Sequence, residues 1–494
     1  MTFEQPQSDS RSRLLDSQPR RLEQPLAMSL RDRYSLDVRS LALLRIGLAL
    51  VLLLNLLPSG GGLVSRFASG AVMNDGFFNR DIWLLPALTS LPIVQVLLSI
   101  VAVLAAIAML FGYHSRLATI ASWVLLIALS SPGAAASMTG DVLRAVMFWA
   151  MFLPLGAAYS VDRAMNTSTR PVPIKLFTGA TIALMVQQGC IYILPAAFRG
   201  TNGAQLPNGE AVRTFLSSEP AVTGFGQFLL NLGPLLTIVA IAVLFLEWIG
   251  PLLLWWPIHN DRFRMIAIAL CASLYILFGL ILNLGLFPLL GVVTLLAFLP
   301  TSTWESMSDR VYGSGYSADF YNAGSYSAGS YSTSSYNASY SSGSEGSDGE
   351  ALKRSGLRIF YDADCGFCKK VVHLIRMLLV LPHTPLATAQ SIPEINTAME
   401  TQNSWVIVDW QGRHHYKFEA ITYVVSLSPV FSWVATILRW SPIMAGGTRL
   451  YEWIANNRKK AGILTRPFKF KPLKVVTPNW LSAIALLLLL LSFV

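Results

Sequence analysis

The residues of this chain best suited to do chemistry are two cysteines three apart, in the run Tyr361-Asp-Ala-Asp-Cys-Gly-Phe-Cys368. On a helix, Cys365 and Cys368 lie one turn apart on one face, so Cys368 can resolve a mixed disulfide formed at Cys365. The elements around them fit that use. Leu357–Tyr361 is β-branched and aromatic and reads as a strand. Phe367 to Leu381 carries apolar residues at helical spacing. Cys365 then stands at a helix N-terminus, where partial positive charge favours a thiolate. Asp364 is the expected N-cap, and Asp362 and Asp364 are candidate proton-transfer groups. The competing readings are an inert structural pair and half a zinc site completed by His373, His383, His414 or His415. The chain has no second C-x-x-C, and the strand-to-helix setting favours exchange over a metal. No metal site is expected, and dithiol exchange itself requires no cofactor. Cys190 and Cys271 lie in apolar runs and read as small hydrophobes. The six histidines otherwise read as surface residues.

Downstream, Ser404–Trp410 and His414–Phe418 flank Gln411-Gly-Arg413 as a hairpin, and helices are expected at Glu419–Ser426, Phe431–Trp440 and Thr448–Asn457. Strand, C-x-x-C at a helix start, helix, hairpin and helix is the thioredoxin-like α/β order. The motif from Tyr361 to Cys368 closely resembles the signature of the DCC family of thiol-disulfide oxidoreductases. The hairpin and Tyr451-Glu-Trp-Ile-Ala-Asn-Asn-Arg458 fit that family too, over residues 355–465. The resemblance implies a protein-disulfide reductase type of activity at Cys365 and Cys368, with a protein thiol or disulfide as partner. Ser404 stands where thioredoxins place a proline.

The rest of the chain must position this dithiol. Of 494 residues, 53% are hydrophobic and only 13% charged, which excludes a single soluble domain and a wholly disordered chain. Residues 1–40 hold seven Arg against six acids and read as a polar cytoplasmic tail, without the pattern of a signal peptide. Apolar runs follow at Leu41–Leu57, Leu91–Phe111, Leu117–Ser131, Val142–Tyr159, Leu176–Phe198 and Leu229–Trp256. Met265–Thr303 is long enough for two more helices, with a turn at Asn283-Leu-Gly285 or Pro288. The expectation is a polytopic α-helical membrane bundle of about eight helices over 41–303, with the lipid bilayer as its partner. The net charge of +10 is spread along the chain as loop arginines, so no nucleic-acid partner is expected. With the N-terminus inside, thirteen Lys or Arg fall on inner segments and four on outer ones. That bias points to the inner (plasma) membrane of a prokaryote, with the N-terminus and the C-x-x-C domain cytoplasmic.

Charges within the apolar runs, Arg45, Arg144 and Glu247, with Asp141 at a helix mouth, are costly facing lipid. They read either as a structural Arg–Glu pair or as a polar pocket for a substrate or quinone head group. Four patches resemble the HTTM membrane domain shared with vitamin K-dependent gamma-carboxylase. They are Leu44-Arg-Ile-Gly-Leu48 with Asn74-Asp-Gly-Phe-Phe-Asn-Arg80; Gly112-Tyr-His-Ser-Arg-Leu117; Gly140-Asp-Val-Leu-Arg144 continuing to Ser160-Val-Asp162; and Glu247-Trp-Ile-Gly-Pro-Leu252. In that family a base lysine follows a Gln and a Tyr on one helix. Here Gln187 and Tyr192 are followed by Arg199, and arginine cannot give up its proton. Glutamyl carboxylation is therefore not expected. The resemblance leaves open a quinone-dependent membrane enzyme or an exported-peptide maturation factor, with the C-x-x-C domain as accessory.

Residues 304–354 read as a disordered linker. Residues 311–349 have no Lys or Arg, and Tyr316, Tyr321, Tyr326, Tyr331 and Tyr336 recur every five residues, a period of neither helix nor strand. A flexible coil of that length spans about 35 Å and would leave the next domain's orientation free. Residues 466–494 read as a basic segment followed by an apolar anchor over Trp480–Val494.

Overall fold

A computed structural model describes residues 30–56, 92–129, 138–168, 172–201, 222–231, 233–312 and 347–473. The N-terminal part is helical: α1 (Val38–Leu56), α2 (Pro92–Phe111), α3 (Ser115–Ala128), α4 (Met138–Ala150), α5 (Gly179–Thr201), α6 (Gly233–Leu254), α7 (Asn260–Ile281), α8 (Phe287–Leu296) and α9 (Thr301–Tyr312). A two-residue antiparallel pair, β1 (Leu36–Asp37) with β2 (Lys175–Leu176), joins the entry of α1 to the entry of α5.

Of the expectation of about eight spans, the described residues bear out a helical bundle with four to five candidate crossings. Among the described residues, four helices are long and apolar enough to cross a membrane: α1, α5, α6 and α7. A fifth crossing would need α8 and α9 as one span, bent by 83°. At 14 residues, α3 is about 21 Å long, against about 30 Å of hydrocarbon. The run Val142–Tyr159 stops being helical at Ala150, because Pro154 cannot donate and disfavours helix in the residue before it. The run Leu229–Trp256 is met by the end of a short helix, Gly224–Leu230, and by α6. The pair expected in Met265–Thr303 is present as α7 and α8, with the turn at 282–286 and Gly285 at φ +60°.

The end of the bundle where the chain enters is stitched by polar contacts. Asp37 accepts from the backbone N–H of Arg39 at 2.8 Å and forms a buried ion pair with its guanidinium, which also lies over the Trp304 ring. Ser40 Oγ donates to the Leu299 carbonyl and accepts from Trp304 Nε1, each at 2.8 Å. Arg264 is buried and donates to the Ser35 carbonyl. Arg39 and Arg264, counted from sequence as loop charges, are thus structural. Asp162 accepts from His114 N–H, Ser115 N–H and Ser115 Oγ, capping α3.

The C-terminal domain begins with α10 (Ser347–Ser355). The linker expected over 304–354 is therefore helical at both ends, in α9 and α10; residues 313–346 lie outside the described residues, as do 474–494. The domain's sheet has the order β4 (Leu386–Thr388), β3 (Arg358–Tyr361), β5 (Val406–Val408), β6 (His414–His415), with β4 parallel to β3 and the rest antiparallel. Alternation along β3 decides the layers. Ile359 and Tyr361 face a core with Val372, Ile407, Ala420 and Val424, from α11 (Gly366–Leu378), β5 and α13 (Lys417–Leu427). Phe360 and Val406 face the opposite core, with Ile395 and Met399 of α12 (Pro393–Gln402). Helices α14 (Ser432–Leu438), α15 (Ser441–Asn456) and α16 (Arg458–Leu464) complete the domain.

This domain is docked on the bundle, which corrects the expected free orientation. Lys471 N–H donates to the Met165 carbonyl at 3.1 Å, and Thr167 N–H donates to the Lys471 carbonyl at 3.2 Å. Leu473 N–H donates to Asn166 Oδ1 at 2.9 Å. Beneath this strap, Val161, Ala164 and Met165 of the bundle pack with Met377 and Leu374 of α11 and with Phe468 and Phe470. On the other side, Tyr312 OH donates to the Val380 carbonyl at 2.7 Å, and Arg354 bridges the carbonyls of Val311 and Leu427.

Candidate dithiol site

The sheet delivers the chain from Tyr361 into a tight loop, Asp362–Asp364, and then into α11. Cys365 and Cys368 form a disulfide with Cα atoms 5.2 Å apart, within the range such a bridge requires. Cys365 itself is the N-cap of α11: its sulfur accepts from the Cys368 N–H at 3.2 Å. The expected cap, Asp364, is exposed and its carboxylate makes no hydrogen bond or ion pair among the described residues. The cap shifts by one residue because the Cys365 sulfur already reaches the third helical N–H.

Asp362 holds the loop. Its Oδ1 accepts from Asp364 N–H at 3.1 Å and from Gln390 Nε2 at 2.8 Å, and Gln390 Oε1 accepts from Ala363 N–H at 3.1 Å. Its Oδ2 lies 3.7 Å from Arg458 Nη1, and Arg458 also donates to both oxygens of Asn403. Gln390 follows β4, an element the sequence reading lacks. Arg458 closes the Tyr451–Arg458 motif, whose sequence carries no signal of this contact with the loop.

On the side of α11 that meets the bundle, Lys369 Nζ lies over the Phe470 ring and Lys370 Nζ donates to the Thr465 carbonyl at 2.8 Å. His373, read from sequence as a surface residue or zinc ligand, is enclosed between the rings of Tyr361 and Phe470 and hydrogen-bonded to the backbone of Ala164. Burial, together with the charges of Arg376 and Lys369, pushes its pKa down to about 3, so the imidazole is neutral. His415 is also partly buried, stacked on Tyr423 and beside Asp409 and Glu419. His383 lies edge-on to Tyr312. Among the described residues no three His, Cys, Asp or Glu gather as a metal set. Ser404, where a thioredoxin has proline, is buried: it accepts from Lys417 N–H at 2.7 Å and bonds Tyr451 OH at 3.0 Å.

Residues 359–463 match the family model of DCC1-like thiol-disulfide oxidoreductases. No curated protein and no solved structure matches the chain. The matched segment begins in β3, ends in α16 and holds both cysteines, Asp362, Gln390 and Arg458.

The polar residues of the bundle have separate settings. Arg45 is fully buried and donates to the Tyr159 carbonyl at 2.6 Å, while Nε and Nη1 have no hydrogen-bond partner. It fills the joint between loop 151–160 and Gly112, whose φ of +67° and contact with the guanidinium leave no room for a side chain. Arg144 pairs with Asp141 on its own helix, half exposed. Glu247 is buried in α6. Gln187 has both amide ends buried without a hydrogen-bond partner, Gln188 meets Tyr275, and the buried Tyr192 ring lies 5.7 Å from that of Tyr275. The side chain of Arg199 and the patch Asn74–Arg80 lie outside the described residues.

Proposed function

We propose that the C-terminal domain is a protein thiol-disulfide oxidoreductase tethered to a membrane by the helical bundle. The observation that carries the reading is the Cys365–Cys368 pair at the start of α11, within the segment that matches the oxidoreductase family. In the reducing direction, the Cys365 thiolate attacks one sulfur of a substrate disulfide and the other substrate sulfur leaves as a thiolate. The Cys368 thiolate then attacks the Cys365 sulfur and releases the second substrate thiol. The enzyme pair is oxidised, the substrate gains two electrons and two protons, and a dithiol reductant restores the pair. The chemistry needs no cofactor.

Cys365 is the attacking thiol because it caps the N-terminus of α11 and its sulfur accepts the Cys368 N–H, which stabilises a thiolate. The test is trapping in the full chain. Cys368→Ala should accumulate mixed disulfides on non-reducing gels, and Cys365→Ser/Cys368→Ala should lose them. Absence of trapped species, with no disulfide reductase activity of the wild-type chain, would overturn the reading.

The bundle is read as HTTM-like and as lying in the inner membrane of a prokaryote, with the N-terminus and the dithiol domain cytoplasmic. What supports a shared side is that the chain entry, the loop after α2, the segment 159–168 and the dithiol domain all join at one end of the bundle. Arg116 and Arg163 belong to that end, as the positive-inside pattern expects.

A second reading makes the bundle a quinone or peptide site, or a peptide-maturation factor, which the dithiol serves. What favours it is a buried polar group in the bundle: the Gln187 amide without a hydrogen-bond partner, beside Gln188, Tyr192, Tyr275 and Cys271, whose side chains contact one another. Carboxylation stays outside it, because Arg199 stands in place of the base lysine. A thiol state of Cys365 that responds to added quinone in membranes, and no longer does so in Gln188→Leu, would support it.

A further inference from the structure

The part of the C-terminal domain that follows Ser428 is unlike the rest of its surface. Among the described residues from 347 onward, nine of the eleven exposed large apolar side chains lie between Val430 and Leu464. Three are tryptophans, Trp433, Trp440 and Trp453, at 64%, 65% and 61% exposure. Helical geometry groups them: Trp433 and Ile437 are one turn apart on α14, and Leu450 and Trp453 are one turn apart on α15. The opposite side of α15 is already used. Gly447 lies against the Phe418 ring with no room for a Cβ, and Tyr451 stacks on Trp405. The outer apolar side therefore has no partner among the described residues of the domain.

The charge on the same stretch is one-sided. Residues 428–473 contain eight Lys or Arg and one acid, Glu452, which is paired with Lys417. Arg439, Arg449, Lys459, Lys460 and Arg466 are exposed. Tryptophans interleaved with basic residues on short helices are the chemistry of a bilayer interface: the indole sits among the headgroups and cations meet anionic lipid. Position agrees. Just before the stretch, the Leu427 carbonyl is tied through Arg354 to Val311 of α9. Near its far end, Lys471 is bonded to Met165. Both ends are thus fixed to the same end of the bundle, the level at which a membrane surface would lie.

We propose that the outer face of α14–α16 is seated on the bilayer surface and binds anionic lipid headgroups. The dithiol domain is then held by the bundle on one side and by lipid on another. The inference rests on the reading of α1, α5, α6 and α7 as membrane spans, but not on the redox activity. The test uses the full chain in nanodiscs of phosphatidylcholine and phosphatidylglycerol, with bromines near the headgroup end of the acyl chains as quencher. The fluorescence difference between the wild type and Trp433→Ser/Trp440→Ser/Trp453→Ser isolates the three indoles. It should be quenched by the bromolipid, and quenching should weaken when phosphatidylglycerol is omitted. Arg439→Glu/Arg449→Glu/Lys460→Glu, which keeps every tryptophan, should lower the quenching as well. Unquenched indoles accessible to aqueous acrylamide would overturn the proposal. Indoles shielded from both quenchers, with two chains per disc, would also overturn it and assign the face to a second copy. If the chain does not enter discs at all, it is the membrane reading that fails, and the trap at Cys365 still judges the redox reading.

Discussion

At the dithiol, the residue that organises the loop is Asp362. One carboxylate oxygen takes two hydrogen bonds, the other faces Arg458, and Gln390 holds both Asp362 and the backbone at Ala363. Removing a partner leaves the rest unsatisfied, at a cost of about 1–3 kcal/mol for a buried group and less here, where the site is partly exposed. Gln390→Ala should cost about 1 kcal/mol locally and raise amide exchange over residues 362–368 by several-fold, while α13 keeps its protection. Unchanged exchange in the loop would show that Gln390 does not hold it. The cysteines, the strand before them and the helix after them were legible in the sequence, because period, breaker residues and motif agree over a short span. The cap was not. Cysteine and aspartate both accept a helix N–H, and only geometry tells which sulfur or oxygen reaches it. Gln390 was not legible either, since β4 is three residues long and carries no alternating pattern to announce it.

At the scale of elements, α11 has two duties: its first turn carries the disulfide and its middle is the contact with the bundle. His373 lies in that contact, with Lys369 and Arg376 on its own helix, the Tyr361 and Phe470 rings beside it and the Ala164 backbone opposite. Its pKa is pushed down to about 3, against about 6.5 for a free imidazole. The sign follows. The undocked histidine binds a proton below about 6.5 and the docked one does not, so docking is fully stabilised above that pH. Stability drains as pH falls from about 6.5 toward 3, by up to about 1.4 kcal/mol per unit. Amide protection of residues 465–473 should therefore fall between pH 7 and pH 5, and His373→Phe should flatten that dependence. A strap equally protected at both pH values in the wild type would contradict the account. Met377 is buried in the same cluster, and Met377→Ala should weaken the contact by about 2–3 kcal/mol, read as the same loss of protection at neutral pH. A lone histidine on an amphipathic helix gives no hint in sequence of a partner some two hundred residues away.

At the scale of the molecule, the described residues hold four to five candidate crossings where the apolar runs point to about eight. Run length does not distinguish a crossing helix from one that breaks, as Val142–Tyr159 does at Ala150. Contacts give the sidedness without the count. Ser40 meets Leu299, Arg45 meets Tyr159, His114 meets Asp162, and Met165 meets Lys471, so each of these points lies at one end of the bundle. Arg31→Cys and Thr397→Cys, each in a chain without its four native cysteines, should therefore share their reactivity toward an impermeant thiol reagent. Both should be protected in intact cells and labelled after permeabilisation, on the orientation proposed above. Opposite reactivities would contradict the shared end.

The strap from Thr465 to Leu473 also changes what the Tyr/Ser/Gly tract is for. With Tyr312 and Arg354 joining the domain to α9, and Lys471 returning to Met165, the tract spans two points that are already held together. The contacts on either side of it fix where the domain sits. Closing a flexible loop costs only about 0.6 kcal/mol more each time its length doubles. The repeat can thus lengthen or shorten in units of five residues with almost no effect on where the dithiol sits, a freedom that a true tether would not have.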